Sequence, residues 1–206
     1  MFLHLIKVLT AYKPNEFSKK IKKQTKVKHD HIESHPFIKE MLNGELPDFK
    51  YAVYLNNLLP IYKGVEMFLF NKRNTNSDIV QSKKILNDIN NYTNFLNVNL
   101  NQDHLLFYRD WLNYFTSKND FYKKSELYIR WLADMYGGQI IKKNIKFGSK
   151  YDFVDIRGDI KFVRQLIEDG LNNENVDSFI EEVNISYDHH YKLVERVYDA
   201  TIEPLH

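Results

Sequence analysis

A histidine and a glutamate stand four residues apart in Thr25-Lys-Val-Lys-His-Asp-His-Ile-Glu-Ser-His-Pro-Phe37. In a helix, this spacing brings the carboxylate of Glu33 within reach of one ring nitrogen of His29. Such a contact fixes the imidazole tautomer and leaves the other nitrogen free to bind a metal such as iron. An ordinary surface histidine is the alternative that these residues leave open.

Two more histidines, His31 and His35, share the same spacing and could also bind a metal. Pro36 disfavours helical backbone at the residue before it, which makes this pair a weak metal site. Six lysines between residues 19 and 28 form either a solvated helix face or a basic rim. A basic rim would attract a carboxylate-bearing ligand or an acidic protein.

The second chemically informative stretch is Tyr128-Ile-Arg-Trp-Leu-Ala-Asp-Met-Tyr-Gly-Gly-Gln-Ile-Ile-Lys-Lys143, in which Gly137 and Gly138 are adjacent. The apolar periodicity predicts a helix, and each glycine inside a helix costs about 1 kcal/mol relative to alanine. One interpretation is a helix kinked over a flat ligand, and the other is a helix that ends at Gly137 before a second one begins. Within the stretch, Arg130 and Asp134 could form an ordinary surface salt bridge.

Composition narrows the class of protein. The chain has 206 residues, 15% of them aromatic, with few glycines and prolines, which predicts one globular and largely helical domain over residues 1–206. No cysteine is present, which excludes disulfides and thiolate chemistry. A net charge of +2 gives no reason to expect nucleic-acid binding. No apolar run is long enough for a membrane span and no secretion signal or C-terminal hydrophobic tail is recognised, so a soluble cytoplasmic protein is expected.

The patterns predict an all-α fold with turn-prone connections. A polar loop is expected at residues 73–78, and residues 144–153 are interpreted as a basic connection. Core candidates on the helix predicted at about 102–118 are Leu106, Phe107, Tyr108, Trp111, Leu112 and Phe115. The helices are expected at about 14–34, 47–72 (interrupted by Pro60), 83–96, 102–118, 127–143, 158–171 and 176–199.

Both chemical stretches resemble those of the biliverdin-producing heme oxygenases. Residues 132–143 resemble that family's distal-helix signature, Leu-Gly-Asp-Leu-Ser-Gly-Gly-Gln-(Val/Ile)-Leu-Lys-Lys. Residues 25–37 resemble its proximal helix, Thr-Lys-x-x-His-x-x-x-Glu-x-x-x-Phe. The resemblance extends from about 22 to 191, with a gap between roughly 75 and 100. It implies a single-domain helical bundle with haem between a proximal helix and a kinked distal helix.

The resemblance also implies an activity: O2- and electron-dependent ring opening of haem, as cofactor and substrate, to biliverdin with release of CO and ferrous iron. It makes His29 the iron ligand and Glu33 its hydrogen-bonding partner. The glycines would leave room for haem at the distal helix, where Asp134 would order a water that supplies protons. The resemblance implies that the companions of Asp134 in this water network are Arg130, Tyr62, Tyr108 and His190. Further haem-binding positions that it implies are Gly137, Gly138, Lys22, Arg164 and Tyr128, with Lys142 as an additional cation for a propionate.

Three positions depart from the family pattern. Ala133 replaces a glycine that usually precedes the distal aspartate, and its methyl group could displace a water. Glu168 stands where an arginine usually meets a propionate, and His190 replaces a distal asparagine. The departures at Ala133 and Glu168 leave open a protein of the same fold that binds haem without cleaving it. A further alternative is a thiaminase-like or other enzyme on this helical fold that binds no haem, against which His29 and the glycine pair argue.

No flavin or nicotinamide motif is recognised, so the electrons that this reaction needs would come from a partner protein. The lysines of the first predicted helix, together with Lys142, Lys143 and Lys146, suit an acidic donor such as a ferredoxin.

Overall fold

The computed structural model of the chain describes residues 15–69, 79–97 and 105–199, and this part of the protein is all-helical. It contains no strand within those ranges. The α-helices are α1 (Glu16–Glu33), α2 (Pro36–Asn43), α3 (Asp48–Leu69), α4 (Ser82–Leu96), α5 (Leu105–Ser117), α6 (Leu132–Tyr136), α7 (Gly138–Ile141), α8 (Ile156–Glu168) and α9 (Val176–Tyr198). The all-α prediction is confirmed.

Local sequence explains where the first two helices begin and end. The side chain of Asn15 accepts a hydrogen bond from the Ser18 amide at 2.8 Å, which caps the start of α1. The chain leaves helical geometry at His35, as the following proline predicts. His35 then caps α2, its Nδ1 accepting from the Phe37 amide at 3.2 Å. His35 is therefore a buried capping residue rather than half of a metal pair.

The core lies between α3 and its neighbours α4, α5 and α9, with α1 packed along α9. Trp111 and Phe115 of α5 are buried there as predicted, whereas Tyr108 and Leu112 are partly buried. The side chains of Leu106 and Phe107 and the predicted loop at 73–78 lie outside the described part of the chain. α3 runs through Pro60, so the interruption predicted there does not end the helix.

The glycine-containing stretch is one interrupted helix. It starts as a π-helical turn, Leu127–Trp131, continues as α6, breaks at Gly137 and resumes as α7. Gly137 keeps right-handed dihedral angles (φ −86°, ψ −34°), and its amide bonds the Ala133 carbonyl at 2.7 Å. A left-handed cap is therefore absent at this residue, and the break agrees with the predicted kinked helix.

The connection after α7 is held firmly against α4. Its 3₁₀ turn, Ser149–Tyr151, receives a cap from Asp88, which accepts hydrogen bonds from the amides of residues 149 and 150 at 2.9 Å each. The Tyr92 hydroxyl accepts from the amides of Lys146 and Phe147 at 3.1 Å. This segment, interpreted from the sequence as a simple connection, is an ordered part of the fold.

Across the described helices, none combines the length and apolar character needed to span a bilayer.

Candidate functional site

A cavity of about 350 Å³ lies between α1 and the interrupted helix. Its walls are mostly apolar, and polar groups converge on it from α1, α3, the π-helical turn, α6 and α9. A mostly apolar cleft with a few convergent polar groups is typical of a small-molecule site. The apolar side chains that line it are Ile32, Ile38, Met41, Leu42, Leu58, Ala133, Ile129 and Ile141.

On the α1 side of the cavity, His29 is half-exposed and weakly held. Its side chain is 51% accessible, and its Nδ1 lies 3.7 Å from Glu33 Oε2 and 3.5 Å from Asp30 Oδ1. A separation of 3.7 Å exceeds that of a hydrogen bond. The ring also meets Tyr187 edge-on at 6.2 Å between centroids. His29 can therefore turn a ring nitrogen toward a metal-bearing ligand in the cavity.

On the opposite side, Asp134 is buried and held by two donors. The Tyr62 hydroxyl donates to Asp134 Oδ2 at 2.7 Å, and the Lys150 ammonium donates to Oδ1. Lys150 is only 1% exposed, and burial lowers its pKa against the opposing attraction of Asp134. Asp134 thus presents a carboxylate of fixed orientation at the cavity wall.

Arg130 forms the second buried polar group. It pairs with Glu126, with 2.6 Å between Arg130 Nε and Glu126 Oε2, so the Arg130–Asp134 surface salt bridge that the spacing left open as an alternative does not form. Trp111 Nε1 also donates to Glu126, at 3.3 Å. Arg130 Nη2 is buried and has no hydrogen-bond partner among the described protein atoms.

His190 of α9 completes this group of buried polar residues. Its Nδ1 lies 3.2 Å from Arg130 Nη1, and since a guanidinium only donates, the proton of the neutral ring is on Nε2. Burial, together with the positive charges of Arg130 and Lys150, holds the pKa of His190 well below its usual range. A neutral ring with an N–H donor therefore lines the cavity.

Gly137 and Gly138 have different neighbours. A β-carbon at Gly138 would lie 2.2 Å from Tyr151 Cδ1, so this glycine makes room for an aromatic ring of the protein itself. Gly137 lines the cavity, and a β-carbon there would meet only the Ala133 carbonyl oxygen, at 3.2 Å. The structure thus gives Gly138 a packing role, while Gly137 leaves open space at the ligand wall.

The structure brings most of the predicted site residues to one cavity, and the members that line it are His29, Glu33, Tyr62, Arg130, Asp134, Gly137 and His190. Tyr108 does not line it and stacks on Trp111 at 6.0 Å between ring centroids. Tyr128 is also outside the lining, and burial raises its pKa.

The predicted cations are peripheral to the cavity. Lys22 is exposed on α1, and Arg164 donates to the hydroxyl of Tyr136, a lining residue, at 2.7 Å. Lys142 is paired with Asp152. Glu168, one of the departures noted above, accepts a hydrogen bond from the Ser18 hydroxyl at 2.6 Å.

Three residues of the site were not found from the sequence: Glu126, Lys150 and Tyr151. Glu126 could have been found, because it stands four residues before Arg130, within reach on the same helix. Lys150 and Tyr151 lie in the connection, where a basic residue gives no sign of burial. Their position depends on Asp88, which is distant in sequence.

The fold and cavity define an all-α protein whose candidate ligand cavity lies between a histidine-bearing helix and an interrupted helix. A sequence profile described as "Heme oxygenase" matches residues 15–196. The chain belongs to the heme oxygenase family, in which haem is the substrate. That assignment favours the haem-based hypotheses over the thiaminase-like one.

Similar proteins agree with this assignment. Heme oxygenases of the red algae Pyropia yezoensis and Porphyra purpurea are 24% and 23% identical, each covering 92% of this chain and 89% of the relative. The fold is similar to that of Synechocystis heme oxygenase-1 in complex with heme (TM-score 0.74, 19% identity, 89% of this chain and 92% of the other). Leptospira interrogans heme oxygenase is comparable (TM-score 0.72, 19% identity, 88% and 100%).

Proposed function

We propose that this chain binds haem in the cavity and opens its ring to biliverdin, releasing CO and ferrous iron. The observation that carries the proposal is that two motifs distant in sequence, one with His29 and one with Asp134 and Gly137, face each other across one apolar cavity. When bound, haem supplies both the redox-active iron and the ring that is opened.

The residues present fit this ligand. A half-exposed imidazole on one wall suits an iron ligand, and a glycine on the other wall leaves space for a flat ring. The buried Nη2 of Arg130 has no hydrogen-bond partner among the described protein atoms, so it offers the ligand a further donor. His29 would hold the iron, and Glu33 would steady the ring of His29 once the 3.7 Å gap between them closes.

The chain's own contribution to the chemistry is proton supply. Asp134 is the carboxylate fixed at the distal wall, with Tyr62 donating to one of its oxygens. The neutral ring of His190 on α9 carries its proton on Nε2 and lines the same cavity. General acid–base groups of this kind contribute roughly 10²- to 10⁴-fold to a rate when they are held in position. Tyr108 and Tyr128 are given no direct part in proton supply, since neither lines the cavity.

Lys22 and Arg164 are proposed to bind the haem propionates at the rim of the cavity. Arg164 already reaches the lining residue Tyr136, and Lys22 stands exposed on the helix that carries His29. Guanidinium and ammonium groups bind carboxylates by charge-assisted hydrogen bonds, which are stronger than neutral ones. These cations would orient the ring within the cavity.

The test is a haem titration of the purified protein, followed by ascorbate under air and monitored by absorbance. We expect a Soret band of histidine-ligated haem that decays as the broad biliverdin band grows. His29→Ala should lose the histidine-ligated spectrum, whereas the matched control His31→Ala should keep it, because His31 stacks on Tyr191 away from the cavity. Identical spectra for both variants would contradict the assignment of His29.

One observation favours a second candidate, a haem-binding protein that does not cleave its ligand. Ala133 lines the cavity directly before Asp134, at a position where its methyl group can displace a water. In the same titration, a Soret band that forms but never decays would support this candidate. Ala133→Gly would then be expected to restore turnover.

The electron donor is proposed to be an acidic protein such as a ferredoxin. Lys143 and Lys146 are exposed on the connection after α7, and several exposed lysines lie along α1, which supports a basic docking face. Replacing Lys143 and Lys146 by glutamate should lower the donor's affinity and flatten its salt dependence, with Lys83→Glu on α4 as the matched control. Unchanged salt dependence would argue against this docking face.

A further inference from the structure

Lys150 is a buried lysine with a specific position in the site. Its side chain is almost fully inaccessible, and its ammonium bonds Asp134. The same nitrogen lies over the Tyr62 ring at 5.1 Å and over the Tyr151 ring at 4.6 Å, measured to the ring centroids. Lysines are rarely buried without an anionic partner, so the contact with Asp134 accounts for this burial.

The surrounding fold fixes the backbone of Lys150. The buried carboxylate of Asp88 on α4 accepts from the amides of Ser149 and Lys150, which holds the 3₁₀ turn in place. The missing side chain at Gly138 admits the neighbouring Tyr151 ring, whose hydroxyl meets that of Tyr51 at 3.3 Å. Two independent features thus direct the lysine side chain inward toward Asp134.

We propose that Lys150 is a positioning residue for haem oxygenation: it holds the Asp134 carboxylate in the orientation that serves proton supply. This inference rests on the proposed function. Lys150 and Tyr62 each occupy a different oxygen of Asp134, so the carboxylate cannot rotate without breaking a contact. The remaining lone pairs stay directed toward the cavity, where a water would be bound.

The ammonium also provides the counter-charge of this buried carboxylate. A buried carboxylate without a nearby cation carries an uncompensated charge, which is costly in the protein interior. The titratable or charged groups around Lys150 are Asp134 on α6, Tyr62 and Tyr54 on α3, Arg130 in the π-helical turn, Asp88 on α4, His190 on α9 and Tyr151 in its own turn. Asp134 is the anion that bonds the ammonium directly.

The test compares Lys150→Met with Asp134→Asn and with the control Lys83→Met, which removes an exposed lysine of α4. With ascorbate as reductant, we expect Lys150→Met to keep the Soret band while ring opening slows about tenfold or more. Wild-type rate in Lys150→Met, beside a slow Asp134→Asn, would overturn the proposal and leave the proposed function intact.

A second readout uses the haem-free protein. The melting temperature of Lys150→Met should lie below that of the wild type, because the buried carboxylate of Asp134 then lacks its cation. Adding Asp134→Asn to this variant removes the unpaired charge and should recover part of the loss. A loss that Asp134→Asn does not reduce would mean that Lys150 only fills space, which overturns the proposal. Should Lys150→Met not fold, Lys150→Gln keeps a donor of similar reach and is expected to show a smaller loss of rate.

The two proposals fail separately. A wild-type protein that binds haem but never opens the ring refutes the proposed activity, and with it any role of Lys150 in that reaction. Normal turnover by the wild type together with normal turnover by Lys150→Met refutes only the role of Lys150.

Discussion

The two walls of the cavity are built in opposite ways. On α1, His29 and Glu33 are half-exposed, separated by 3.7 Å, and surrounded by surface ion pairs such as Lys26–Asp30. On the distal wall, Asp134 is buried and accepts a hydrogen bond from Tyr62 of α3. Arg130 is buried there too and is paired with Glu126, four residues earlier along the chain. A wall held by buried polar contacts is already in its working geometry, whereas an exposed wall can adjust when the ligand arrives.

This contrast agrees with what each wall is proposed to do. An iron ligand needs only one free nitrogen, and a helix on the surface can present it. Proton supply needs carboxylate, hydroxyl and ammonium groups in fixed relative positions, because a small displacement removes the hydrogen bonds on which it depends.

The largest difference in stability should separate the buried ion pair from an exposed one. Arg130→Met removes the partner of buried Glu126 and should lower the free energy of unfolding by about 3–5 kcal/mol. Lys26→Met removes an exposed pair with Asp30 and should cost less than about 0.5 kcal/mol. Urea denaturation of the haem-free variants measures both, and equal losses would remove the distinction between the walls.

The adjacent glycines should respond differently to the same substitution. Gly138→Ala places a methyl group against the Tyr151 ring and should cost about 1–3 kcal/mol of stability. Gly137→Ala meets only a backbone oxygen and should change stability by less than about 1 kcal/mol, while weakening haem binding because its methyl group enters the cavity. Thermal melting and haem titration give the two readouts. Weaker haem binding in Gly138→Ala at unchanged stability would mean that Gly138 makes room for haem rather than for the Tyr151 ring.

The buried histidine of the distal wall should make the fold sensitive to acid. Burial holds the pKa of His190 below its value in the unfolded chain, so the unfolded state binds a proton first as pH falls. The contribution to stability is therefore intact above about pH 6.5 and is lost as pH falls further, by at most about 1.4 kcal/mol per pH unit. His190→Asn should flatten the fall in melting temperature between about pH 6.5 and 5. His31→Asn, on the exposed wall, serves as the control and should leave that fall unchanged.

The smallest effect is expected at Glu33. Its carboxylate is 58% exposed and does not yet bond His29, so Glu33→Gln should leave folding unchanged. Only the iron–histidine bond should respond, through a small shift of the Fe–His stretching band in resonance Raman spectra of the ferrous haem complex. A lower melting temperature of the haem-free Glu33→Gln variant would mean that Glu33 already holds the α1 wall in place before haem binds.

Much of the fold followed from sequence pattern. The predicted helix at 14–34 corresponds to α1, which begins at the side-chain cap Asn15, and the one at 176–199 corresponds to α9. The break before Pro36 was also predicted correctly. Helix boundaries depend on residues a few positions apart, which a single sequence displays directly.

The α1 side of the site was equally accessible from the sequence, since the spacing of His29 and Glu33 on one helix is a local property. The sequence also indicated an unusual helix at Gly137 and Gly138, although a packing role for Gly138 was not predicted. No local pattern contains the Tyr151 ring that fills the space beside Gly138. The sequence alone therefore determined the helices, the candidate iron ligand and the position of the break.

Tertiary structure decided which partner the buried Asp134 has. Sequence spacing offered both Glu126 and Asp134 to Arg130, and the structure pairs Arg130 with Glu126 and Asp134 with Lys150. The Lys150 contact exists because Asp88 holds a distant turn against α4, and burial then makes a matched counter-charge necessary. Pairing between segments is a property of the packed core, where each charge must find a partner in space rather than along the chain.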